Sequence, residues 1–297
     1  MSIQVDTALV QAYRANIEIK FQQMGSRLRP TVRNESQKAE FDFYDRIGPT
    51  DAIEVTSRHG DTPLVSTPHD RRRVGLRDFD WADLIDNKDK IRMLADPTSS
   101  YVTNAVMALG RAMDDVIISA AFGTAYTGKT GSTSVTFPSG SEIAVNYVES
   151  GSAANSNLTI GKLRRARYLL DKAEATTEGQ YDLYLVVDPS QIQSLLRTTE
   201  VTNSDYNTIK ALVAGEIDTY MGFKFIKSNR LSVTSSVREC IAYERQGLLL
   251  ATGMEITVDV GPRRDKRNSV QVYVCGSFGA TRMWEEKVLR IKCDETV

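Results

Sequence analysis

The segment DPTSSYVTNAVMALGRAMDDVIISAAFG, residues 96–123, carries the clearest helical pattern in the chain. Its apolar residues recur at spacings of three and four, so they share one face of a helix; they are Val102, Val106, Leu109, Met113, Val116 or Ile117, and Ala120. Asp96 or Thr98 can cap the start, and Gly123 can end it. A helix of about 25 residues is roughly 37 Å long, about twice the usual length. The segment therefore predicts a structural spine helix.

The residues before this helix offer few apolar side chains for a core. The first 24 residues have an amphipathic helical pattern, and a polar, extended stretch follows Gly25. Within residues 41–80, the stretch DAIEVTSRHGDTPLVSTP (51–68) predicts a long hairpin with its turn near Gly60 and Asp61. Because a two-stranded ribbon is marginal in water on its own, we expect these segments to pack on another surface, in this molecule or in a neighbour.

After the spine helix, residues 124–158 are rich in Gly, Ser and Thr and predict a surface loop or hairpin insertion. A helix capped by Thr159, a buried strand, a helix capped by Asp188 and a short helical stretch over 205–222 follow. From residue 237 to the end the apolar period is two, which predicts a run of strands. The order of elements predicts an α+β protein.

Composition limits the classes of function. The chain has 297 residues, of which 41% are hydrophobic and 25% charged, as in a soluble globular protein of two domains or one elaborated domain. Its formal net charge is −1, which argues against a dedicated DNA-binding protein. We expect neither a signal peptide nor a membrane helix. Three cysteines without ligand spacing and two histidines predict reduced thiols, no metal and no cofactor.

The stretch GTAYTGKT, residues 123–130, matches the pattern of a nucleotide phosphate loop. Such a loop requires a strand before it and a helix directly after it. Here a helix is predicted before it, and the residues after it are poor helix formers. Asp188, the candidate magnesium ligand, is equally well explained as a helix cap. We interpret the match as a coincidence; a nucleotide hydrolase using Lys129, Thr130 and Asp188 is the alternative of a different class.

A second charged motif, HDRRR (69–73), could bind a phosphate or a carboxylate through Arg71, Arg72 and Arg73, and His69 is a further candidate contact between subunits. We favour pairing with an acidic patch on a neighbouring molecule, because the net charge is near zero; nucleic-acid binding through the three arginines is the weaker alternative. Arg27 and Arg29, in the polar stretch near the amino terminus, are further candidate contacts.

Other charged runs are predicted to be exposed to solvent; they are Asp114–Asp115, Glu285–Glu286 and the helix face Lys162, Arg164, Arg165 and Arg167.

Four segments resemble parts of the major capsid proteins of tailed bacteriophages, which have the Hong Kong 97-type fold. FQQMGSRLRPTV (21–32) resembles the end of the N-terminal arm, and RRRVGLRDFDWADLIDNKDKIRMLADPTSSYV (71–102) resembles the second leg of the extended loop that enters the spine helix. TTEVTNSDYNTIKALVAGEIDTYMGFKFIKSNRL (198–231) is similar to the axial-lobe segment, and NSVQVYVCGSFGATRMWEEKVLRIKC (268–293) to the closing peripheral strands. The likeness covers nearly the whole chain except 124–158.

The resemblance implies a division of the chain into six parts. They are an N-terminal arm (1–40), an extended loop (41–80), a peripheral domain with the spine helix (81–123), an insertion loop (124–157), an axial α/β domain (158–258) and closing peripheral strands (259–297). We expect shortening of the insertion loop to be tolerated.

The resemblance also implies a function and partners. Hexamers and pentamers of the chain would tile an icosahedral head, assembled in the bacterial cytoplasm, with each extended loop and arm lying on an adjacent subunit. We expect a separate scaffolding protein and a portal, non-specific contact with packaged double-stranded DNA, and no membrane. The shell of a cellular encapsulin-type compartment is the near alternative. Lysine–asparagine crosslinks of some relatives cannot be matched to positions here.

Overall fold

The computed structural model describes residues 22–54, 56, 58, 60–62, 64–85, 98–149, 151–176, 182–197 and 219–296. The helices in these ranges are α1 (Thr98–Phe122), α2 (Ile160–Lys172) and α3 (Pro189–Arg197). The strands are β1 (Arg33–Ser36), β2 (Phe41–Ile47), β3 (His69–Gly75), β4 (Arg77–Ile85), β5 (Ala125–Thr127), β6 (Thr133–Val135), β7 (Glu142–Ile143), β8 (Leu183–Val187), β9 (Thr219–Tyr220), β10 (Phe223–Lys227), β11 (Val233–Thr234), β12 (Val237–Glu244), β13 (Leu248–Arg263), β14 (Ser269–Arg282) and β15 (Val288–Asp294).

The strands form three sheets, as the α+β prediction requires. A four-stranded sheet has the order β1-β13-β14-β4, and a seven-stranded sheet has the order β7-β15-β12-β8-β10-β9, with β11 beside β12. A second four-stranded sheet has the order β2-β3-β5-β6. The helix predicted over the first 24 residues lies almost wholly outside the described residues. So does most of the stretch over 205–222, whose end forms β9 instead of helix.

The described residues divide into two compact units. The first is built from residues within 1–26, 77–113 and 254–278, and the second from residues within 27–76, 114–253 and 279–297. In the first unit, β4 pairs antiparallel with β14, and α1 packs on these strands. The core of this unit comprises Ile85, Ala105, Leu109, Val272 and Val274, flanked by Trp81, Tyr101, Val102, Val106 and Ile256.

The spine helix is confirmed, because α1 has 25 residues and ends at Phe122. Gly123 N donates to Ser119 O at 2.8 Å, which closes the last turn. The chain before Arg27 lies directly on this helix, since a Cβ added to Gly110 would stand 2.5 Å from the carbonyl carbon of Gly25. The space between the two backbones therefore admits only glycine at residue 110.

The second unit contains the seven-stranded sheet. Its strand β8 is buried along its whole length and pairs parallel with β10 and antiparallel with β12, which explains its continuous apolar sequence. Both predicted helix caps are confirmed. Thr159 Oγ1 accepts from Lys162 N at 3.3 Å, and Asp188 Oδ2 accepts from Ser190 N at 3.2 Å.

The hairpin predicted over residues 51–68 is wrong in its bounds, because the paired strands lie on either side of that stretch. Phe41–Ile47 pairs antiparallel with His69–Gly75, and the described residues of 48–68 contain no strand. Gly48 N donates to Pro68 O at 3.0 Å, so the two ends of this loop are adjacent. The arms lie further out than expected because Phe41–Ile47 places Tyr44 and Arg46 on one face against the rest of the protein, whereas the residues around Gly60 lack side chains that would bury one face.

The segment 124–157 is more ordered than the expected surface loop. Strands β5 and β6 form a hairpin, and β5 pairs with β3. Strand β7 pairs parallel with β15. Ile143 is buried among these strands. The β5–β6 hairpin agrees with the predicted hairpin insertion. Because β5 and β7 also pair with distant strands, shortening this segment would remove backbone pairing from two sheets.

Lys162 is not exposed, contrary to the expected solvated face, and its side chain is fully buried in the second unit. Its Nζ donates to four backbone carbonyl oxygens, of Val145 at 2.9 Å, Ser156 at 2.6 Å, Asn157 at 3.1 Å and Lys292 at 2.9 Å. Burial lowers the pKa of Lys162. The carbonyl oxygens compensate the buried charge, so this side chain joins α2, β15 and the segment before α2.

We predict that Lys162→Met lowers the free energy of unfolding by about 3 kcal/mol, because the carbonyl oxygens lose their donor inside the protein. Urea denaturation followed by circular dichroism measures the change. Lys172→Met is the matched control, since Lys172 is exposed on the same helix, and it is expected to change stability by less than about 0.5 kcal/mol. Equal stability of the two variants would contradict a structural role for Lys162.

Candidate functional site

The HDRRR motif lies on β3, whose alternation puts its side chains on two faces of the β2-β3-β5-β6 sheet. The antiparallel register pairs Arg46 with Asp70, and Tyr44 with Arg72. The first face, which we call the inner face, carries the even-numbered residues Tyr44, Arg46, Asp70, Arg72 and Val74. The outer face carries the odd-numbered residues Phe41, Phe43, Asp45, His69, Arg71 and Arg73.

On the inner face, Arg72 is fully buried and its Nη2 donates to Glu285 Oε1. Arg46 Nη1 donates to Glu285 Oε2 at 3.2 Å and to Met283 O at 2.7 Å. Nε and Nη1 of Arg72 have no hydrogen-bond partner among the described residues. Arg72 thus depends on one carboxylate of its own chain, which corrects its assignment as a contact with a neighbour. Glu285 is not a solvated charge either.

A third guanidinium completes this cluster. Arg282 Nε lies 3.9 Å from Glu285 Oε1, and Arg282 is fully buried. Its Nη1 donates to Ala121 O at 2.9 Å and to Gly123 O at 3.0 Å. A cation at the carbonyl end of a helix is stabilised by the helix dipole. Arg282 therefore links the end of α1 to Glu285. We call Arg46, Arg72, Arg282 and Glu285 the Glu285 cluster.

Burial and hydrogen-bonded or ionic partners shift the pKa values of several of these charged residues. Burial lowers the pKa of Arg72 and of Arg282, and the carboxylate of Glu285 opposes both shifts. Asp70 is only partly buried, and burial tends to raise the pKa of its carboxyl. Hydrogen bonds from Thr127 and Arg46 outweigh this effect and hold the pKa of Asp70 well below its usual range. Asp70 is therefore ionised throughout the neutral and mildly acidic range.

The outer face is an arginine and aromatic surface. The Arg73 guanidinium lies 4.9 Å from the Phe41 ring centroid and 4.8 Å from that of Tyr126. Arg71 lies 5.6 Å from the Phe43 ring centroid, and its Nε is 3.2 Å from Asp45 Oδ1. These arginines are occupied by cation–π and ionic contacts, although Phe41 and Tyr126 remain about half exposed.

A hollow of 480 Å³ opens at one end of this sheet. Its lining residues are Asp45, His69, Asp70, Arg71, Gly128 and Lys129. Three residues of the HDRRR motif, His69, Asp70 and Arg71, thus lie around the same hollow as Lys129 of the GTAYTGKT stretch, although the two motifs were predicted as separate features. The pairing of β3 with β5 brings the two motifs together.

The GTAYTGKT stretch does not have the geometry of a phosphate loop. It runs from the end of α1 through β5 into a tight turn, in which Gly128 has φ +89° and Gly131 φ +64°. Strand β6 follows this turn, instead of the helix that phosphate binding requires. Asp188 caps α3, and its Oδ1 lies 3.6 Å from Arg238 Nη1. Asp188 therefore has a structural role, and the turn and strand after Lys129 agree with the interpretation of the motif as a coincidence.

The remaining predicted contacts lie near the described start of the chain. Arg27 is exposed, and its Nη1 donates to Lys227 O at 2.6 Å. Arg29 is half-buried in a short 3₁₀ turn. Asp114 is fully buried and accepts from the backbone N of Arg27 and of Leu28, both at 3.1 Å. Asp114 is therefore an anchor for the chain, which corrects its expected exposure.

Two negative findings limit the chemistry of the described ranges. No group of three or more His, Cys, Asp or Glu residues in them is placed to hold a metal ion. No helix in the same ranges is both long enough and apolar enough to cross a membrane.

We predict that Glu285→Gln lowers the free energy of unfolding by about 3 kcal/mol, because it leaves buried guanidinium charge without its anion. The change is measured by urea denaturation. Glu286→Gln is the matched control, because the adjacent Glu286 is exposed. If the two variants were equally stable, the Glu285 cluster would not hold the hairpin sheet in place.

We also predict a pH effect at Asp70. The folded-state pKa of Asp70 is depressed, so its stabilising contribution is full above the unfolded value of about 3.9 and is lost as the pH falls further. Asp70→Asn should be less stable than the wild type at pH 6, and the difference should shrink toward pH 2. Urea midpoints across this range test the sign. Asp51→Asn, at an exposed residue, should show no such convergence; a difference independent of pH at Asp70 would refute the assignment.

Comparison with known proteins gives one consistent result. The model of the phage capsid protein family matches residues 5–295. No curated protein matches the sequence. The capsid of Ralstonia phage GP4 has a TM-score of 0.74 at 11% identity, covering 96% of this chain and 94% of that chain. The head of Helicobacter pylori bacteriophage KHP40 has a TM-score of 0.74 at 10% identity, covering 99% and 98%.

A third structure, the capsid of cyanophage P-SCSP1u, has a TM-score of 0.70 at 16% identity and covers 96% of this chain and 93% of its own. These similarities over whole chains confirm the α+β Hong Kong 97-type fold expected from the arm, loop and spine-helix segments. The match over residues 5–295 shows that the chain belongs to the phage capsid protein family, as a major capsid protein.

Proposed function

We propose that this chain self-assembles into hexamers and pentamers that close an icosahedral phage head around double-stranded DNA. The observation that carries the proposal is the match of residues 5–295 to the phage capsid family. A family model that spans the chain from arm to closing strand leaves little sequence for another activity. The function is therefore the formation of contacts between copies instead of a catalysed reaction, and the chain is a structural protein.

The loop at residues 48–68 supports this proposal by its exposure. Ile53 is 53% exposed, Leu64 94% and Val65 47%. Apolar side chains held this far into solvent indicate a surface that a partner covers. The bond between Gly48 N and Pro68 O closes the base of the loop, so the loop projects as a unit that can lie across an adjacent subunit.

The six-part division of the chain extends the proposal. We assign residues 1–40 to an arm, 41–80 to the extended loop, 81–123 and 259–297 to a peripheral domain, and 158–258 to an axial domain. The long α1 within 81–123 supports the peripheral assignment, and strands β8 to β12 support the axial one. Strand β15, within 259–297, pairs with β12 in the same seven-stranded sheet, so the end of the chain packs with the axial strands. Segment 124–157 supplies strands to two sheets, so it joins domains as well as inserting between them in sequence.

The partners follow from the same assignment. We propose a separate scaffolding protein during assembly in the host cytoplasm, a portal in the finished head, and contact with DNA that is independent of its sequence. The formal charge of −1 favours weak contact with DNA, because strong binding to phosphate requires an excess of cations. No membrane is involved in this scheme.

We predict that replacing residues 50–66 with a short Gly–Ser linker yields a folded protein that forms no closed particles. The adjacent ends of the loop allow a short linker, and β2 and β3 with the Glu285 cluster remain intact. Sedimentation velocity measures assembly, and circular dichroism measures folding. The matched control is the full-length loop with the single substitution Leu64→Ile, which keeps the length and apolar character of the loop and should still form closed particles. Closed particles from the linker variant would refute the role of the loop.

A further inference from the structure

We infer that the basic turn between β13 and β14 of one copy of this chain docks on the acidic outer face of the β13-β14-β4 sheet of a second copy. The inference rests on the proposed function and makes it specific, because it names one contact by which copies join. We call residues 263–268 the basic turn, and we call the sheet face turned away from α1 the acidic face. Both belong to the first unit or border it directly.

The basic turn carries four cations and one carboxylate. Its sequence supplies Arg263, Arg264, Lys266 and Arg267 against Asp265. Asp265 is bound by Arg263, whose Nε donates to Oδ1 at 2.9 Å and whose Nη2 donates to Oδ2. In the described part of the chain, no other carboxylate forms an ion pair with the turn. The three remaining basic residues therefore leave an excess of three positive charges at the end of the two strands.

Backbone geometry presents these cations in a defined turn. A 3₁₀ turn over Arg264–Lys266 is followed by Arg267 and Asn268 in the left-handed region, with φ of +52° and +58°. Ser269 Oγ donates to Lys266 O at 2.7 Å, which joins the turn to the start of β14. The three unpaired basic residues are exposed. Their positive charge is thus held at the surface, where a partner can reach it.

The acidic face contains Asp78 and Asp80 of β4. These residues lie opposite Ser277 and Cys275 of β14. Val274, the residue before Cys275, belongs to the core that packs on α1. Because side chains alternate along a strand, both aspartates lie on the face opposite that core. Both are exposed.

A third carboxylate on this face comes from β13. Ile256 packs against the core of the first unit, so alternation along the strand places Asp259, three residues further on, on the opposite face. Asp259 is exposed. Strand β14 lies between β13 and β4. Since neighbouring strands are about 4.8 Å apart, Asp259 stands roughly 10 Å across the sheet from the two aspartates of β4.

The carboxylates of the acidic face have hydrogen-bond donors but no paired cation. Asp78 Oδ1 accepts from Ser277 Oγ at 2.6 Å, and Asp80 Oδ1 accepts from Tyr273 Oη at 2.8 Å. These hydroxyl groups orient the two carboxylates and leave the second oxygen of each open. Within the described ranges, neither these aspartates nor Asp259 form an ion pair. The face therefore carries three unpaired negative charges.

The two surfaces complement each other in charge and in number. Three unpaired cations of the basic turn match three unpaired carboxylates of the acidic face, and an arginine can donate to both oxygens of one carboxylate. The surfaces cannot meet within one copy, because the turn is the end of two strands of the same sheet. A contact between unlike surfaces of two copies repeats from copy to copy, and it closes a ring when the rotation permits.

Charge also favours a second copy over nucleic acid as the occupant. Packaged DNA would neutralise the basic turn, but the acidic face of the same sheet would repel it, and strong binding needs cations spread along many phosphates. A second copy neutralises both surfaces in one contact. We expect this contact to weaken as salt is added, because both surfaces are exposed to solvent.

Charge reversal tests the contact. We predict that Arg264→Glu with Arg267→Glu raises the protein concentration needed for particle formation by about tenfold or more at low salt, and that Asp78→Lys with Asp80→Lys does the same. A chain with all four substitutions again has opposite charges on the two surfaces, so it should assemble within about threefold of the wild type. Arg264→Lys with Arg267→Lys keeps the charge and is the matched control, which should assemble normally. Circular dichroism establishes that each variant folds.

Normal assembly of either charge-reversed pair would overturn the inference and leave the proposed function standing. So would failure of the folded chain with all four substitutions, because opposite charges would then not restore the contact. Normal particles of Arg264→Glu with Arg267→Glu that retain less DNA would overturn it in favour of nucleic acid. A wild type that forms no particles contradicts the proposed function itself.

Carbodiimide crosslinking identifies the occupant without any substitution. Particles formed from an equal mixture of ¹⁵N-labelled and unlabelled wild-type chains are treated with carbodiimide, digested and examined by mass spectrometry. The expected result is an amide between Lys266 and Asp78, Asp80 or Asp259, with mixed isotope labels that prove a link between copies. Links from Lys266 to other acidic residues only, or links within one copy only, would overturn the inference.

Discussion

The architecture of the second unit depends on one carboxylate, that of the partly buried Glu285. Glu285 holds Arg46 and Arg72 from the two arms of the hairpin, and it lies beside Arg282, which binds the carbonyl end of α1. Two of these guanidiniums are fully buried, and a buried cation without an anion costs several kcal/mol. The hairpin can therefore take one position only, with Arg72 on Glu285. Any other placement would leave charge buried and unpaired.

These ionic contacts explain how a hairpin with few apolar contacts is held in a fixed position. Only two residues named on the hairpin inner face join an apolar cluster: Val74 is buried with Leu249, Ala251 and Met283, and Tyr44 packs against them. The rest of that face is polar, so ionic contacts fix its position and the apolar contact adds to them. A rigid base matters for a shell protein, because the loop at 48–68 and the hollow at Lys129 both lie next to this hairpin sheet. The Glu285 cluster, which fixes the hairpin, therefore also fixes the positions of this loop and this hollow.

Local patterns in the sequence predicted the elements that depend on local interactions. Helix α1 and the caps at Thr159 and Asp188 follow from spacing and capping chemistry, which act within a few residues. The resemblance of the arm, loop and closing strands predicted the fold class. The hairpin arms were displaced, because strand register depends on which face is buried against distant residues.

The environment of charged residues could not be predicted, because it is set by partners far along the chain. Arg72 and Glu285 are 213 residues apart, and Lys162 binds the carbonyl oxygen of a residue 130 positions away. A run such as HDRRR shows that charge is present but not which face each side chain occupies. Alternation along β3 was the available signal: it separates Arg72 from Arg71 and Arg73, and it requires knowing that the segment is a strand.

The central claim is that this chain builds a closed shell, and the mass distribution of the purified protein tests it most directly. Light scattering across a range of concentrations, with and without a co-expressed scaffolding protein, would be combined with electron micrographs of the heaviest fraction. The account predicts closed particles of megadalton mass, or hexamers and pentamers that convert to them. A monodisperse 33.0 kDa monomer under every one of these conditions would contradict it.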